Sequence, residues 1–362
     1  MYHRKHAVGD QGVLGGLLSG PGAPSGPRMA MSGPMWMPAL PPTFARVMAW
    51  HPQPIPVLPG LALLLALLYA GGVLMLHRRG VRWPVHRAVW WFAGVATIVL
   101  ATATGLDGYG MELFSVHMVQ HMVLNMLTPV LLVLGAPVTL LLRALPTGRG
   151  PRGRVRRGLL RLLHSRPLTV LTHPLVTFAL FVMSLYGLYF TPVFDWLMAT
   201  WWGHNLMLVH FLVVGFLYFW GVLGVDPNPR TARTGPRTMP PALVSVVEIA
   251  ATAPFHAFFG VIVMMSTTLL VRFYAMPMPS WHVSPLADQA AGGGIAWGFT
   301  EIPTLLVLGA LVAAWQRSDE RAARAADRRR ARGDDAELAD YNAYLQALAR
   351  ADRQHDGRVR GA

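Results

Sequence analysis

Two histidine–methionine pairs, spaced four residues apart, are the part of the sequence best suited to chemistry. They lie in the apolar run 114–127, where a helix would place His117 and His121 on one face and Met118 and Met122 on the face beside it. Imidazole and thioether groups together are ligands that a soft metal ion such as Cu(I) prefers. Ionisable groups are costly inside a membrane, which favours a functional role for the pair. The alternative is a packing stripe, in which His bonds a neighbouring helix and Met fills gaps.

Four more polar residues interrupt apolar runs and are candidates for the same metal site: His204, His210, His256 and Glu301. For His204, which follows two Trp at a predicted membrane interface, the competing interpretation is an ordinary solvated side chain. For the other three it is a neutral hydrogen bond between helices. A carboxyl group at mid-membrane should be protonated or paired, and His256 and His210 are the expected partners of Glu301.

The elements that must position these side chains are membrane-spanning helices. The chain has 362 residues, of which 53% are hydrophobic and only 13% are charged, and its apolar runs approach the 20 or so residues that cross a bilayer. We therefore predict an all-α, polytopic membrane helix bundle with seven transmembrane helices. The predicted spans are 57–76, 86–105, 112–134, 173–191, 201–223, 242–271 and 293–315.

Arginine residues alternate between the connections, and this pattern predicts the orientation. Basic residues concentrate in cytoplasmic loops, so the N-terminus is expected outside and the C-terminus inside, with His117 and His121 in the outer half of the third span. The net charge of +14 then reflects topology and contact with the lipid bilayer, and no nucleic-acid partner is expected. The basic connections are 77–87, 143–166, 224–241 and the tail from Arg317; those at 106–111 and 192–200 lack Lys and Arg, and 272–292 has only Arg272.

Three regions are predicted along the chain. Residues 1–56 form a Gly-, Pro- and Met-rich segment that is largely disordered, residues 57–316 the seven-helix transmembrane domain, and residues 317–362 a charged, partly helical cytoplasmic tail. The chain has no cysteine, so a copper site would have to use His, Met, carboxylate or backbone groups. It lacks a phosphate loop and the common hydrolase motifs, and we do not expect an enzyme.

Several motifs occur in order across about residues 41–316. They are FSVHMVQHMVLNMLTP (114–129), LGAPVTL (134–140), LRALP (142–146), THP (172–174), HFLVVG (210–215), GVDPNPR (224–230), FHAFFG (255–260) and EIP (301–303). Together they resemble the membrane-integral CtaG family of cytochrome c oxidase assembly factors. The resemblance implies a multi-pass protein of the bacterial plasma (inner) membrane that is needed to make an active haem–copper oxidase, whose copper centres are loaded from the extracytoplasmic side.

Three functions follow as hypotheses. The first is an assembly factor that binds or delivers copper, as Cu(I), at the extracytoplasmic face, with haem–copper oxidase subunits as partners. The second is a copper transporter or permease, in which His121, His210, His256 and Glu301 form a path through the bundle. The third is a membrane haem protein with axial histidines on different helices, for which His121 and His210 are the best matched pair.

Overall fold

The computed structural model of the protein describes residues 32–148, 150–229, 241–331 and 336–359. Within these ranges the regular structure is helical, and extended pairing is confined to isolated bridges, which confirms the all-α prediction. The helices are α1 (Phe44–Met48), α2 (Val57–Arg78), α3 (Val85–Thr102), α4 (Gly105–Gly110), α5 (Phe114–Met122), α6 (Thr128–Leu134), α7 (Pro137–Ala144), α8 (Pro151–Leu163), α9 (Arg166–Leu171), α10 (Pro174–Tyr189), α11 (Val193–Met198), α12 (Trp201–Leu223), α13 (Pro241–Met265), α14 (Pro285–Phe299), α15 (Glu301–Ala331) and α16 (Ala336–Val359).

The described residues include six helical segments that are long and apolar enough to cross a membrane. The protein is therefore a multi-pass membrane protein. The fourth predicted span, 173–191, corresponds to α10, an apolar helix of 16 residues. The count of seven and the orientation of the termini stay predictions. The six segments are Val57–Arg78, Val85–Thr102, Phe114–Ala144, Trp201–Leu223, Val244–Met265 and Pro285–Arg328.

Two span boundaries differ from those predicted. The sixth span was predicted to cover 242–271, but α13 ends at Met265. Just beyond it, the Ser266 hydroxyl donates to the Thr268 carbonyl (2.8 Å), which competes with helical hydrogen bonding. The seventh, 293–315, falls across α14 and α15, which are separated at Thr300. Pro303, in the first turn of α15, lacks the N–H that would continue the preceding helix.

A π-helical turn, Val123–Leu127, joins α5 to α6 at the centre of the bundle. Such wide turns inside α-helices are frequent at functional sites. In α12, Gly215 packs against the Asn125 carbonyl of this turn, where a Cβ would overlap that oxygen and come within 2.8 Å of the Pro129 ring. The absence of a side chain at Gly215 thus lets α12 lie directly against the segment that carries the histidine pair.

Two carboxylates fasten distant elements to helix N-termini, where free N–H groups need acceptors. Asp288 of α14 accepts from the backbone N–H of Phe114 (2.6 Å) and from the Ser115 hydroxyl at the start of α5. Asp226, after α12, accepts from the N–H groups of Val138 (2.8 Å) and Thr139 (2.9 Å) in α7. Burial raises the pKa of Asp226, although its hydrogen bonds from Thr139 and Val138 oppose that shift.

Residues 32–56 form an N-terminal cap across one end of the bundle. The Trp36 ring stacks on His51 (3.6 Å between centroids), and the Tyr109 hydroxyl donates to the Leu40 carbonyl (2.9 Å). The His51 N–H donates to the Ala103 carbonyl (2.9 Å). The cap therefore covers α4 and the connection to α5; residues 1–31, where most of the predicted disorder falls, lie outside the described residues.

Candidate metal-binding site

Three histidines on two helices meet in the interior of the bundle. His117 and His121 are one turn apart on α5, as their spacing predicts, and His204 projects from the first turns of α12. All three side chains are fully buried. The ring centroids of His117 and His204 lie 6.4 Å apart, so the structure brings the outermost predicted histidine to the predicted pair. These residues are called the histidine cluster below.

The hydroxyl of Tyr189, at the end of α10, is shared by both histidines of α5. It lies 3.0 Å from His117 Nε2 and 2.7 Å from His121 Nδ1. A phenol carries one proton, so when it donates to one ring it accepts an N–H from the other. The remaining ring atoms, His117 Nδ1 and His121 Nε2, have no hydrogen-bond partner among the described residues. The pair thus presents one free lone pair and one free N–H while Tyr189 holds both rings.

Aromatic walls hold the two rings in place. The imidazole of His121 stacks on Phe211 (3.9 Å between centroids, 7° between planes) and lies parallel to Tyr189 at 5.4 Å. Phe194 meets His117 edge-on at 5.1 Å. Because ring rotation would break these contacts, the nitrogens are positioned before any ligand arrives.

Tyr274 closes the cluster from the segment after α13. Its hydroxyl donates to the Gly110 carbonyl (2.7 Å), and its ring lies 6.2 Å from His117. Burial raises the pKa of this tyrosine well above its ordinary value, so it stays a neutral phenol at physiological pH. An uncharged aromatic side chain therefore covers one side of the histidine cluster.

His204 makes contacts that the sequence interpretation missed. Its Nε2 lies 3.2 Å from Asp107 Oδ1, and its Nδ1 lies 3.4 Å from the Met198 sulfur. Asp107 also accepts from Gln120 Nε2 (2.5 Å), one turn from His117 on α5. Asp107 and Met198 lie in connections without Lys or Arg that were predicted on the same side of the membrane. Their predicted location on the same side of the membrane was the only sequence indication of a contact between them. It does not predict which residues of the two connections come into contact.

The methionines beside the histidine pair have a different environment. Met118 and Met122 are fully buried in the hydrophobic core, where a flexible thioether fills gaps between helices. The sulfur that contacts an imidazole belongs to Met198. A soft donor therefore reaches the cluster from Met198, the last residue of α11. The sequence pattern did not single out this residue.

The other three predicted site residues lie away from the cluster. His210 follows His204 by six positions, roughly 240° around α12, and is exposed on the side of the bundle with its Nε2 2.9 Å from the Ser184 hydroxyl. His256 is buried in α13 beside a separate cavity. Glu301 is exposed at the start of α15. In the described part of the chain, Glu301 has no hydrogen bond or ion pair with His256 or His210, so the expected pairing is not formed.

The donor set of the cluster limits the ions that fit. Among the described residues, no group of three or more His, Asp or Glu side chains is arranged to hold a metal ion. Hard divalent cations need several oxygen ligands, so this donor set is poorly suited to bind them. Two immobilised imidazoles with a thioether near the third histidine instead suit a soft ion that accepts few ligands, such as Cu(I).

Sequence comparison finds relatives of this chain in mycobacteria. The chain is 47% identical over 318 residues to uncharacterized proteins of Mycobacterium bovis and Mycobacterium tuberculosis (86% of this chain, 46% of each relative). It is 43% identical over 295 residues to an uncharacterized protein of Mycobacterium leprae (81% and 44%). The chain thus spans about half the length of these curated relatives. No solved structure matches it.

The family match covers the histidine cluster and the cavity beside His256. Residues 67–318 match the family Caa3_CtaG, described as cytochrome c oxidase caa3 assembly factor. This range includes α5, α10, α12 and α13 and agrees with the resemblance drawn from the motifs. The chain belongs to the Caa3_CtaG family of cytochrome c oxidase caa3 assembly factors.

Proposed function

We propose that the protein binds Cu(I) at the histidine cluster, on the extracytoplasmic side of the bacterial plasma membrane, and delivers it to haem–copper oxidase subunits. The observation that carries this proposal is the pair of fully buried ring nitrogens, His117 Nδ1 and His121 Nε2, without a hydrogen-bond partner among the described residues. A buried polar atom left unsatisfied costs about 1–3 kcal/mol. A bound cation offsets part of that cost, because it accepts the one lone pair that the histidine pair presents.

The surrounding residues give each histidine a role in holding such an ion. Tyr189 and Phe211 orient His121, and Asp107 holds the Nε2 side of His204. Met198 adds a thioether that favours Cu(I) over hard cations. In this proposal each of these groups binds or orients the ion, as a carrier requires.

The charge pattern supports the proposed side of the membrane. Asp107 and Met198 lie in or beside connections without Lys or Arg, whereas α8 carries five arginines between Arg152 and Arg161. Basic residues favour the cytoplasm, so this pattern supports placing the cluster at the opposite, extracytoplasmic end, where an acceptor subunit can meet it.

A copper transporter is the second candidate function. The buried imidazole of His256, separate from the histidine cluster, supports it because an ion crossing the bundle needs a further binding position. His210 and Glu301 are exposed and do not extend such a path. A haem function is less well supported, since His210 turns away from His121.

The test is copper binding by purified protein in which the pair is altered. His117→Ala and His121→Ala should each lower Cu(I) affinity more than about tenfold, since even residues that only orient metal ligands are worth that much. Oxidase copper content should fall in cells while protein abundance stays near normal. Met118→Leu should have a smaller effect, because Leu preserves the volume of a side chain buried in the core.

His164→Ala is the matched control, because this exposed histidine lies at the end of α8 and bonds its own helix. It should leave copper binding unchanged. If the His117 and His121 variants lose abundance but the surviving protein binds Cu(I) normally, the pair is a packing element and the proposal fails.

A further inference from the structure

A small cavity lies beside His256, between α10, α12, α13 and α15. Its volume is about 20 Å³, enough for one water molecule or one metal ion. His256 is buried, and its Nε2 has no hydrogen-bond partner among the described residues. An imidazole nitrogen of this kind points to a missing ligand, since leaving it unsatisfied is costly.

The other polar groups around the cavity already bond one another. The Tyr218 hydroxyl lies 2.7 Å from the Thr252 hydroxyl, which donates to the Glu248 carbonyl (2.7 Å). The hydroxyls of Thr300 and Thr304 each bond a carbonyl one turn back in the chain. These groups can support a ligand, but His256 is the lining residue whose acceptor or donor atom still lacks a partner.

A second soft donor reaches the same cavity. Met126, which belongs to the π-helical turn, is one of the lining residues and is buried. No Asp or Glu side chain is among the lining residues of this cavity. Imidazole and thioether without carboxylate disfavour Mg²⁺ and Ca²⁺ and favour a soft monovalent ion.

We propose that His256 and Met126 form a second Cu(I) site, inside the bundle and distinct from the histidine cluster. This inference rests on the proposed function in one respect, namely that Cu(I) is a ligand of the protein. The π-helical turn links the two sites, because it begins at Val123, two residues after His121, and carries Met126. Asn125, in the same turn, is fully buried with both side-chain polar atoms lacking a partner among the described residues, and lies between them in sequence.

The experiment is an anaerobic Cu(I) titration of the full-length protein in detergent against a coloured Cu(I) chelator. The wild-type chain should take up one ion at each site. His256→Ala should lose one of them and keep the other, and the His117→Ala/His121→Ala double variant should do the converse. His210→Ala, an exposed histidine bonded to Ser184, should keep both.

A second variant and a second measurement test the second site independently if His256→Ala misfolds. Met126→Leu preserves side-chain volume and should lower the affinity of the second site for Cu(I) without unfolding the chain. X-ray absorption at the copper edge, recorded on the His117→Ala/His121→Ala protein, should show a sulfur neighbour that Met126→Leu removes.

The outcomes separate the two proposals. Unchanged stoichiometry in His256→Ala overturns the second site and does not affect the proposal for the histidine cluster. Uptake that is lost in His256→Ala but unaffected by the double variant supports the second site and overturns the first. A copper spectrum without sulfur in the double variant also overturns the pairing of His256 with Met126.

Discussion

Tyr189 is the residue on which the geometry of the histidine pair depends. One hydroxyl holds His117 Nε2 and His121 Nδ1 at 3.0 and 2.7 Å, so the tautomer of either ring is tied to that of the other. An imidazole offers a metal only the nitrogen that carries no proton. The phenol therefore decides which ring presents its lone pair, although it is itself no predicted ligand.

Tyr189→Phe tests this dependence. Phe keeps the ring beside Phe194 and Phe259 but removes the hydroxyl, so both imidazoles lose a partner. We expect a loss of stability of about 1–3 kcal/mol, measured by thermal unfolding in detergent. Cu(I) affinity should fall about 10–100-fold, the range for residues that orient metal ligands.

Tyr186→Phe is the comparison variant on the same helix. Its hydroxyl donates to the Phe255 carbonyl (2.7 Å), away from the cluster. It should leave Cu(I) affinity unchanged. If both tyrosine variants alter affinity equally, Tyr189 has no specific role in orienting the pair.

Residue-scale prediction succeeded where the signal was local. The four-residue spacing of His117 and His121 placed both on one face of a helix, as observed. Tyr189 and Met198 reach the same site from other helices, with no spacing rule connecting them to α5. Helix periodicity orients a side chain relative to its own axis, and the choice of neighbour depends on packing between helices.

At the scale of elements, the contact between α12 and the π-helical turn sets the distance between His204 and the pair on α5. The turn brings an extra residue into the helix, and Gly215 accommodates it by presenting no side chain to the Asn125 carbonyl. A larger residue must push α12 away, and with it His204 and Phe211.

Gly215→Val should therefore destabilise the protein and weaken copper binding together. Overpacking of this kind typically costs about 1–3 kcal/mol, measurable by thermal unfolding, and Cu(I) titration reports the displaced cluster. Gly309→Ala is the control, since a Cβ at Gly309 in α15 meets nothing within 4 Å. Normal stability in Gly215→Val would show that the close approach is not required.

The elements were predicted with unequal success. Spans were visible as apolar runs, and the third predicted span ends at residue 134, where α6 ends; α7 begins at Pro137 after Ala136 adopts a left-handed conformation (φ 52°). The π-helical turn was not visible, because its residues are ordinary helix formers. The end of α13 at Met265 was missed because the apolar pattern resumes at residues 269–271, whereas the Ser266 hydroxyl favours a turn.

At the scale of the whole molecule, orientation is the property on which the proposed function depends. The alternation of arginine between connections predicts the N-terminus outside. A reporter that is active only outside the cytoplasm should be active when fused after Tyr109 or Pro192. It should be silent when fused after Arg154 or Arg233.

A reporter that is active only in the cytoplasm, fused at the same four positions, is the complementary control. The reverse pattern of activity would place the histidine cluster on the cytoplasmic side and overturn delivery to an extracytoplasmic copper centre. That result would not contradict copper binding itself, which depends on the residues of the cluster and not on the side of the membrane.

The N-terminal cap has a consequence for the order in which the molecule is completed during synthesis. The Ala39 carbonyl accepts a hydrogen bond from Trp281 Nε1 at 3.3 Å, across 242 residues. At translation rates of roughly 5–20 residues per second, the first of these residues waits about 10–50 s for its partner to be made. This contact forms only after the chain up to Trp281 has been made, so the nascent protein passes through a stage in which the N-terminal cap is held at Tyr109 and Ala103 but not yet at Trp281.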